Sequence, residues 1–207
     1  RLPASVRRGT RQLIRYALLS PDGTNRRRAC EALREAGVTC EAVGVVTAVL
    51  GDPTTPRWLQ EISAFVASYL NEESAAHALE RVGRDPRRHA SVRHAALFAL
   101  GDLQINTART VSMAMSVARS ADPQEEPEVL RAATYALAVL RPDRHEDELR
   151  RQQIDLLARL SHPSLQPDDI TRRLADWGID NFARVEAREE SRPRTQIWGI
   201  DEGPLAG

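Results

Sequence analysis

The 207-residue chain has an ordinary globular composition, with 42% hydrophobic and 28% charged residues and equal numbers of basic and acidic side chains. Zero net charge disfavours nucleic acid as a partner, and the apolar runs are too short to cross a membrane. All 29 basic residues are arginine, which indicates the codon bias of a GC-rich bacterial genome. Alanine is abundant and aromatic residues make up only 4%, so we expect an all-helical fold.

Clusters of Pro, Gly and helix-capping residues divide the sequence into ten segments with helical periodicity. The tenth segment is short, and we expect it to end at Gly178 because glycine commonly follows the last turn of a helix. The predicted helices cover about residues 5–19, 25–36, 39–50, 56–70, 72–82, 87–100, 106–121, 127–140, 146–160 and 168–177.

One short pattern recurs along the chain. The segments 62–70, 95–103 and 132–140 align, which places Ser63, Ala96 and Ala133 in one column at spacings of 33 and 37 residues. A helix with small residues on one face cannot bury that face alone, so we expect copies to stack on one another. Asp-Pro pairs at 52–53, 85–86 and 122–123 are expected to separate one pair of helices from the next.

Residues Val92–Gly101 fit the motif Val-Arg-x-Ala-Ala-x-x-Ala-Leu-Gly at every specified position and resemble the first helix of a HEAT repeat. The copy at 129–138 departs from the motif, with Leu130 and Ala138 in place of Arg and Gly. The resemblance implies a right-handed α-solenoid of about four HEAT-like helix pairs over residues 1–178, with the first and tenth helices as end caps. A tetratricopeptide array and a plain helical bundle are the alternatives, but the tetratricopeptide aromatic-and-glycine signature is absent.

Residues 179–207 form a predicted C-terminal tail, which is charged around 186–194 and apolar at Ile197, Trp198 and Ile200. We expect these three residues to anchor the tail, either in this molecule's own groove or on a neighbouring copy. The chain opens with Arg1 rather than Met, so we expect a piece of a longer protein.

Nothing in the sequence demands catalysis. It contains no phosphate-binding loop, no HExxH zinc motif and no nucleophile elbow. His89 and His94 are five residues apart, which is a poor spacing for one helical face, and the other three histidines lack ligand-like neighbours. We therefore expect a non-enzyme with no metal and no cofactor. Cys30 and Cys40 are expected to be small buried residues of a cytoplasmic protein, with a disulfide between them as the alternative.

A solenoid implies a surface that binds a partner. We expect the second helix of each pair to line the concave side, which places mixed-charge stripes of the fifth, seventh and ninth helices in the groove. Mixed charge suits a protein or peptide better than nucleic acid. The predicted partner-binding residues are Glu73, His77, Glu80, Arg84, Arg109, Ser112, Ser116, Arg119, Arg151, Asp155 and Arg159.

Arginine is concentrated near the N-terminus. Residues 1–100 carry 15 arginines and 10 acidic residues, whereas residues 101–207 carry 14 and 19. We expect the gradient to reflect uneven solvation of the surface, with the ordering of a partner or head-to-tail contact between copies as the alternative. Arg7, Arg8, Arg11 and Arg15 lie on one side of the first helix, where we expect a solvated face.

The leading functional hypothesis is a non-catalytic scaffold or adaptor module that binds a protein. One alternative is the sensor or regulatory region of a larger signalling ATPase. The other is a DNA-binding enzyme of the HEAT-like alkylpurine glycosylase type, in which Trp58 or Trp177 faces a lesion.

Overall fold

A computed structural model describes residues 4–143, 145–166 and 168–190 of the chain, with side-chain surroundings from residue 7 to residue 185. This part of the chain is helical and contains no strand. A 3-10 turn, Glu73–Ala75, precedes the fifth α-helix. The α-helices in the described residues are α1 Ala4–Leu19, α2 Gly23–Glu35, α3 Thr39–Gly51, α4 Arg57–Leu70, α5 Ala76–Arg84, α6 Ala90–Leu103, α7 Ala108–Ser120, α8 Pro127–Val139, α9 Asp147–Ser161 and α10 Asp169–Glu190.

One type of proline turn follows each odd-numbered helix. The residue before the proline uses its side chain to accept a hydrogen bond from the backbone N–H two residues later. Proline also disfavours helical backbone at the residue before it, so the helix ends there. The five acceptor and donor pairs are Ser20 with Asp22 at 3.3 Å, Asp52 with Thr54 at 2.8 Å, Asp85 with Arg87 at 3.0 Å, Asp122 with Gln124 at 2.7 Å, and His162 with Ser164 at 3.3 Å.

These proline turns lie inside helical hairpins. Each odd-numbered helix packs on the even-numbered helix that follows it, which gives hairpins 1 to 5. The predicted all-α stack is confirmed, but the pairing is shifted by one helix, because the Asp-Pro turns join partners rather than separate pairs. The chain changes direction between hairpins instead, where Asn71 and Gln104 adopt left-handed backbone angles, with φ of 54° and 51°. The right-handed sense of the array stays a prediction.

The hairpins stack into two layers. We call α1, α3, α5, α7 and α9 the odd layer and α2, α4, α6, α8 and α10 the even layer. Neighbouring even helices contact each other along more of their length than neighbouring odd helices do. Ser63, Ala96 and Ala133 are each fully buried in the even layer, so the aligned residues occupy equivalent surroundings. Closer spacing in one layer is the arrangement expected on the inner side of a curved stack.

Helix α10 continues well beyond its predicted end. A Cβ added at Gly178 would lie 2.8 Å from the Cβ and 3.0 Å from the Cα of Ala138 in α8. Gly178 therefore allows two helices to approach closely and does not terminate one. The predicted boundary between residues 178 and 179 falls inside α10, and residues 179–190 belong to the helical stack.

The two cysteines are free thiols in different surroundings. Cys30 is buried as predicted, and burial raises the pKa of its thiol to about 11. Cys40 is exposed, so the prediction of a buried residue is wrong there. None of the described helices is long and apolar enough to span a membrane.

Candidate binding surface

An aromatic residue follows the aligned small residue by two positions on each of four neighbouring helices. The small residues Ser63, Ala96, Ala133 and Ala175 are fully buried. Two positions later a side chain is displaced by about 200° around the helix, so it points away from the buried column. We define the aromatic row as Phe65 of α4, Phe98 of α6, Tyr135 of α8 and Trp177 of α10.

The four rings of the aromatic row contact one another in sequence. Phe65 and Phe98 meet edge to face, with their ring centroids 6.2 Å apart. Phe98 and Tyr135 stack at 4.4 Å with planes 11° apart, and Tyr135 and Trp177 are nearly parallel at 6.4 Å. The first three rings are half-buried and Trp177 is 41% exposed. The row therefore presents continuous aromatic surface across four hairpins of the even layer.

Two neighbouring residues of α6 fix the position of Tyr135. The Tyr135 hydroxyl donates to Asp102 Oδ1 at 2.7 Å. Burial, followed by this hydrogen bond, raises the pKa of Tyr135, so the phenol stays protonated and remains a donor. A Cβ at Gly101 would lie 2.7 Å from Tyr135 Cε1, so only glycine leaves room for the ring in this position.

Polar links between hairpins border the row. Arg131 of α8 donates two hydrogen bonds to Asp168, from Nε at 3.0 Å and from Nη2 at 2.7 Å. These bonds hold the pKa of the Asp168 carboxyl far below its usual value. His94 Nδ1 lies 2.9 Å from the Glu128 carbonyl oxygen, and because a carbonyl only accepts, this nitrogen carries the proton.

The opposite border also carries charge. The Arg27 guanidinium of α2 lies 5.1 Å from the centre of the Tyr69 ring of α4, which is a cation–π distance. Asp102 is exposed beside Tyr135. Both borders thus combine positive and negative groups around an aromatic floor.

The predicted partner-binding residues belong to the odd layer and the 3-10 turn before α5, the more widely spaced side of the stack. Ten of the eleven side chains are exposed. Glu80 is the exception, being only 3% exposed. Arg109 Nε contacts it at 2.8 Å and Thr110 Oγ1 donates to it at 2.7 Å, so Glu80 joins α5 to α7 and does not line a groove.

The structure brings part of this set together. Arg119 of α7 and Asp155 and Arg159 of α9 line a small cleft of about 130 Å³, beside Gln152 and Leu156. Arg151 pairs with Glu148 on its own helix at 2.9 Å. The remaining predicted residues, Glu73, His77, Arg84, Ser112 and Ser116, do not line this cleft.

The predicted tail anchor, Ile197, Trp198 and Ile200, lies outside the described residues. Within the described part of the chain, no group of three or more His, Cys, Asp or Glu side chains is placed to hold a metal ion.

Sequence reasoning missed the aromatic row, although its signal was present. In the alignment of 62–70, 95–103 and 132–140, one column contains Phe65, Phe98 and Tyr135. The tenth helix was not included in this alignment, so Trp177 was not compared with the column. Aromatic residues are scarce in this chain, so a column that collects three of them was informative.

No protein-family model matches the chain, and no curated protein matches its sequence. Among solved structures, the chain is similar to an engineered protein studied by crystallography. The two share 18% sequence identity, with 88% of this chain and 85% of that chain covered and a TM-score of 0.49.

Proposed function

We propose that the chain is a non-catalytic, HEAT-like interaction module that binds a segment of a protein along the aromatic row of the even layer. The continuity of the row across four hairpins supports this proposal most directly. Aromatic side chains on a rigid scaffold supply much of the binding energy at protein interfaces, and they lose little conformational freedom on binding. An array of stacked hairpins provides such a scaffold.

The arrangement of the rings favours an apolar polypeptide over single-stranded nucleic acid. Nucleobases bind aromatic residues by stacking on their faces. Phe98 and Tyr135 already stack on each other at 4.4 Å, which leaves no space for a base between them. Their exposed edges can still contact aliphatic and aromatic side chains.

The borders of the row suit a polypeptide of mixed charge. Asp102 is hydrogen-bonded to Tyr135, Arg131 precedes Tyr135 by one helical turn and pairs with Asp168, and Arg27 lies over Tyr69, one turn after Phe65, so both signs of charge occur next to the row. Charged groups at the edge of an interface contribute more to the position and the choice of the bound polypeptide than to its affinity. The odd-layer residues predicted from the sequence would then contribute to solubility or to a second contact.

The test uses peptides selected from a random library displayed on phage, with the full chain as bait. Trp177→Ala should weaken binding of the selected peptides at least about tenfold, because Trp177 is the most exposed ring of the row and an aromatic anchor at an interface is worth more than about 1.4 kcal/mol. Trp58→Ala is the matched control, since Trp58 is 51% exposed on α4 but lies outside the row. Binding is measured by isothermal titration calorimetry.

Two results would overturn the proposal. One is a set of peptides whose affinity falls with Trp58→Ala or Arg119→Ala but not with Trp177→Ala. The other is tight, salt-dependent binding of oligo(dT) that Trp177→Ala removes, which would identify nucleic acid as the ligand of the row.

A further inference from the structure

A cleft with an apolar floor lies between α1, α3 and α4. Its volume is about 270 Å³, and Arg11 and Arg15 stand at its edge. Leu19 and Val45 are 48% and 45% exposed there, an unusual amount of open aliphatic surface for residues that face one another. The apolar floor consists of Ile14, Leu18, Leu19, Val45 and Leu59.

A row of arginines continues from the edge of this cleft along α1. Arg7, Arg8, Arg11 and Arg15 line an adjoining depression of about 600 Å³ together with Gln12. None of the four forms an ion pair with another residue in the described part of the chain. Like charges four residues apart destabilise a helix, and an acidic ligand would relieve that repulsion. The combined surface fits a segment that carries apolar side chains next to carboxylates.

The chain itself contains such a segment. Ile197, Trp198 and Ile200 are followed directly by Asp201 and Glu202. The apolar side chains match the floor of the cleft, and the two carboxylates match the arginines at its edge. The charge of the whole chain is divided in the same way. Residues 1–100, which contain the cleft, have an excess of arginine, and residues 101–207, which contain the segment, have an excess of acidic residues.

The segment cannot reach the cleft of its own molecule. Helix α10 packs on α8 and α9, whereas α1 packs on α2, α3 and α4, so the two lie at opposite ends of the stack. Packed helices lie about 8–10 Å apart, so four steps between neighbouring hairpins separate the two ends by roughly 30–40 Å along the stack. Ile197 follows Glu190 by seven residues, which span at most about 25 Å when fully extended.

We propose that the cleft between α1, α3 and α4 binds the segment Ile197–Glu202 of a second copy, which joins copies head to tail. This goes beyond the proposed function, because the cleft involves none of the residues of the aromatic row. A head-to-tail contact leaves one cleft and one segment free at the ends, so association continues as the concentration rises.

Sedimentation velocity of the full chain, from about 1 µM to about 300 µM, tests the proposal. The wild type should form oligomers that grow with concentration and dissociate as salt is added, because screening weakens the contact between carboxylates and arginines. Trp198→Ala and the double variant Arg11→Glu/Arg15→Glu should each remain monomeric. Circular dichroism checks that both variants keep the helical content of the wild type.

A charge exchange makes the test specific. The variant Asp201→Arg/Glu202→Arg should be monomeric alone. Its equimolar mixture with Arg11→Glu/Arg15→Glu should again form oligomers that grow with concentration, because the cleft of each variant then matches the segment of the other. A labelled synthetic peptide of residues 195–207 should bind the wild type, and its affinity should fall at least about tenfold with Arg11→Glu/Arg15→Glu. Trp177→Ala should leave both results unchanged, which separates this proposal from the proposed function.

A wild type that stays monomeric over the whole range would overturn the proposal, as would association that survives Trp198→Ala. Equal binding of the peptide to the wild type and to Arg11→Glu/Arg15→Glu would also overturn it.

Discussion

Asp168 holds hairpins 4 and 5 together through a single carboxylate. It accepts two hydrogen bonds from Arg131 of α8, at 3.0 and 2.7 Å. It also accepts from the backbone N–H of Thr171 at 2.8 Å, which satisfies a free donor in the first turn of α10. Every one of these bonds favours the ionised carboxyl, and the bonds from Arg131 contribute most to the lowered pKa of Asp168.

This lowered pKa predicts how the stability of the fold changes with pH. In the folded protein Asp168 stays ionised far into acid, whereas an unfolded aspartate titrates near about 3.9. The stabilisation is therefore complete above about pH 5 and is lost as the pH falls through the unfolded value and below it. Asp168→Asn should lower the free energy of unfolding by about 1–3 kcal/mol near pH 6, and the difference from wild type should shrink toward pH 3.

Urea unfolding at several pH values measures this difference. Asp176→Asn is the control, because Asp176 is exposed on α10, the helix that follows Asp168, and forms no hydrogen bond with another described residue. It should behave like the wild type at each pH. A gap between wild type and Asp168→Asn that stays constant from pH 6 to pH 3 would contradict the assigned role of the carboxylate.

At the scale of helices, glycine decides how closely α8 and α10 pack. Alanine is normally the better residue inside a helix by about 1 kcal/mol. At Gly178, however, the new methyl group would overlap Ala138, including its backbone Cα at 3.0 Å, so the helices would have to separate. Gly178→Ala should therefore destabilise the fold by about 1–3 kcal/mol in spite of its higher helix propensity.

Gly44 of α3 provides the matched comparison. It is exposed, and a Cβ there would meet no atom within 4 Å. Gly44→Ala should stabilise the fold by about 0.5–1 kcal/mol, because only the helix propensity changes. Urea unfolding followed by circular dichroism gives both values, and stabilisation by both substitutions would contradict the tight contact between α8 and α10.

Gly178 illustrates which features of the fold can be predicted from the sequence and which cannot. Prolines and capping residues marked most helix boundaries correctly, because they act on the local backbone. Gly178 was misinterpreted because a glycine that ends a helix and one that admits a neighbouring helix look alike in one sequence. The distinction depends on Ala138, which lies 40 residues away.

The pairing of the helices was shifted for a related reason. The turn at Asp85 and Pro86 and the connection at Gln104 both break a helix, and both are followed by another helix. Local signals do not say which break folds the chain back within a hairpin. The packing of α5 on α6 decides this, and it depends on tertiary contacts. Three of the four members of the aromatic row fall in one column of the alignment, and the fourth, Trp177, lies on the tenth helix, which the alignment did not include.

At the scale of the whole molecule, the stack is held by contacts between neighbouring hairpins. Helices α6 and α8 each pack between two even helices and on an odd helix, and nearly all of their apolar side chains are buried. Helices α1 and α2 form hairpin 1. Among the described residues, hairpin 1 packs on one neighbouring hairpin, the one formed by α3 and α4. An array with nearest-neighbour coupling opens from its ends at a lower free energy than from its centre.

Hydrogen exchange followed by mass spectrometry should therefore show a gradient along the chain. Amides of α6 and α8 should exchange most slowly, and those of α1 and of the last turns of α10 should exchange fastest, because opening at an end breaks one interface and opening at the centre breaks two. Gly178→Ala should accelerate exchange in α8 and α10 while leaving α2 and α3 unchanged, since its contact lies between hairpins 4 and 5. Uniform protection of the ten described helices, or an equal response of hairpin 1 to Gly178→Ala, would instead indicate one cooperative core in which the hairpins have no separate stability.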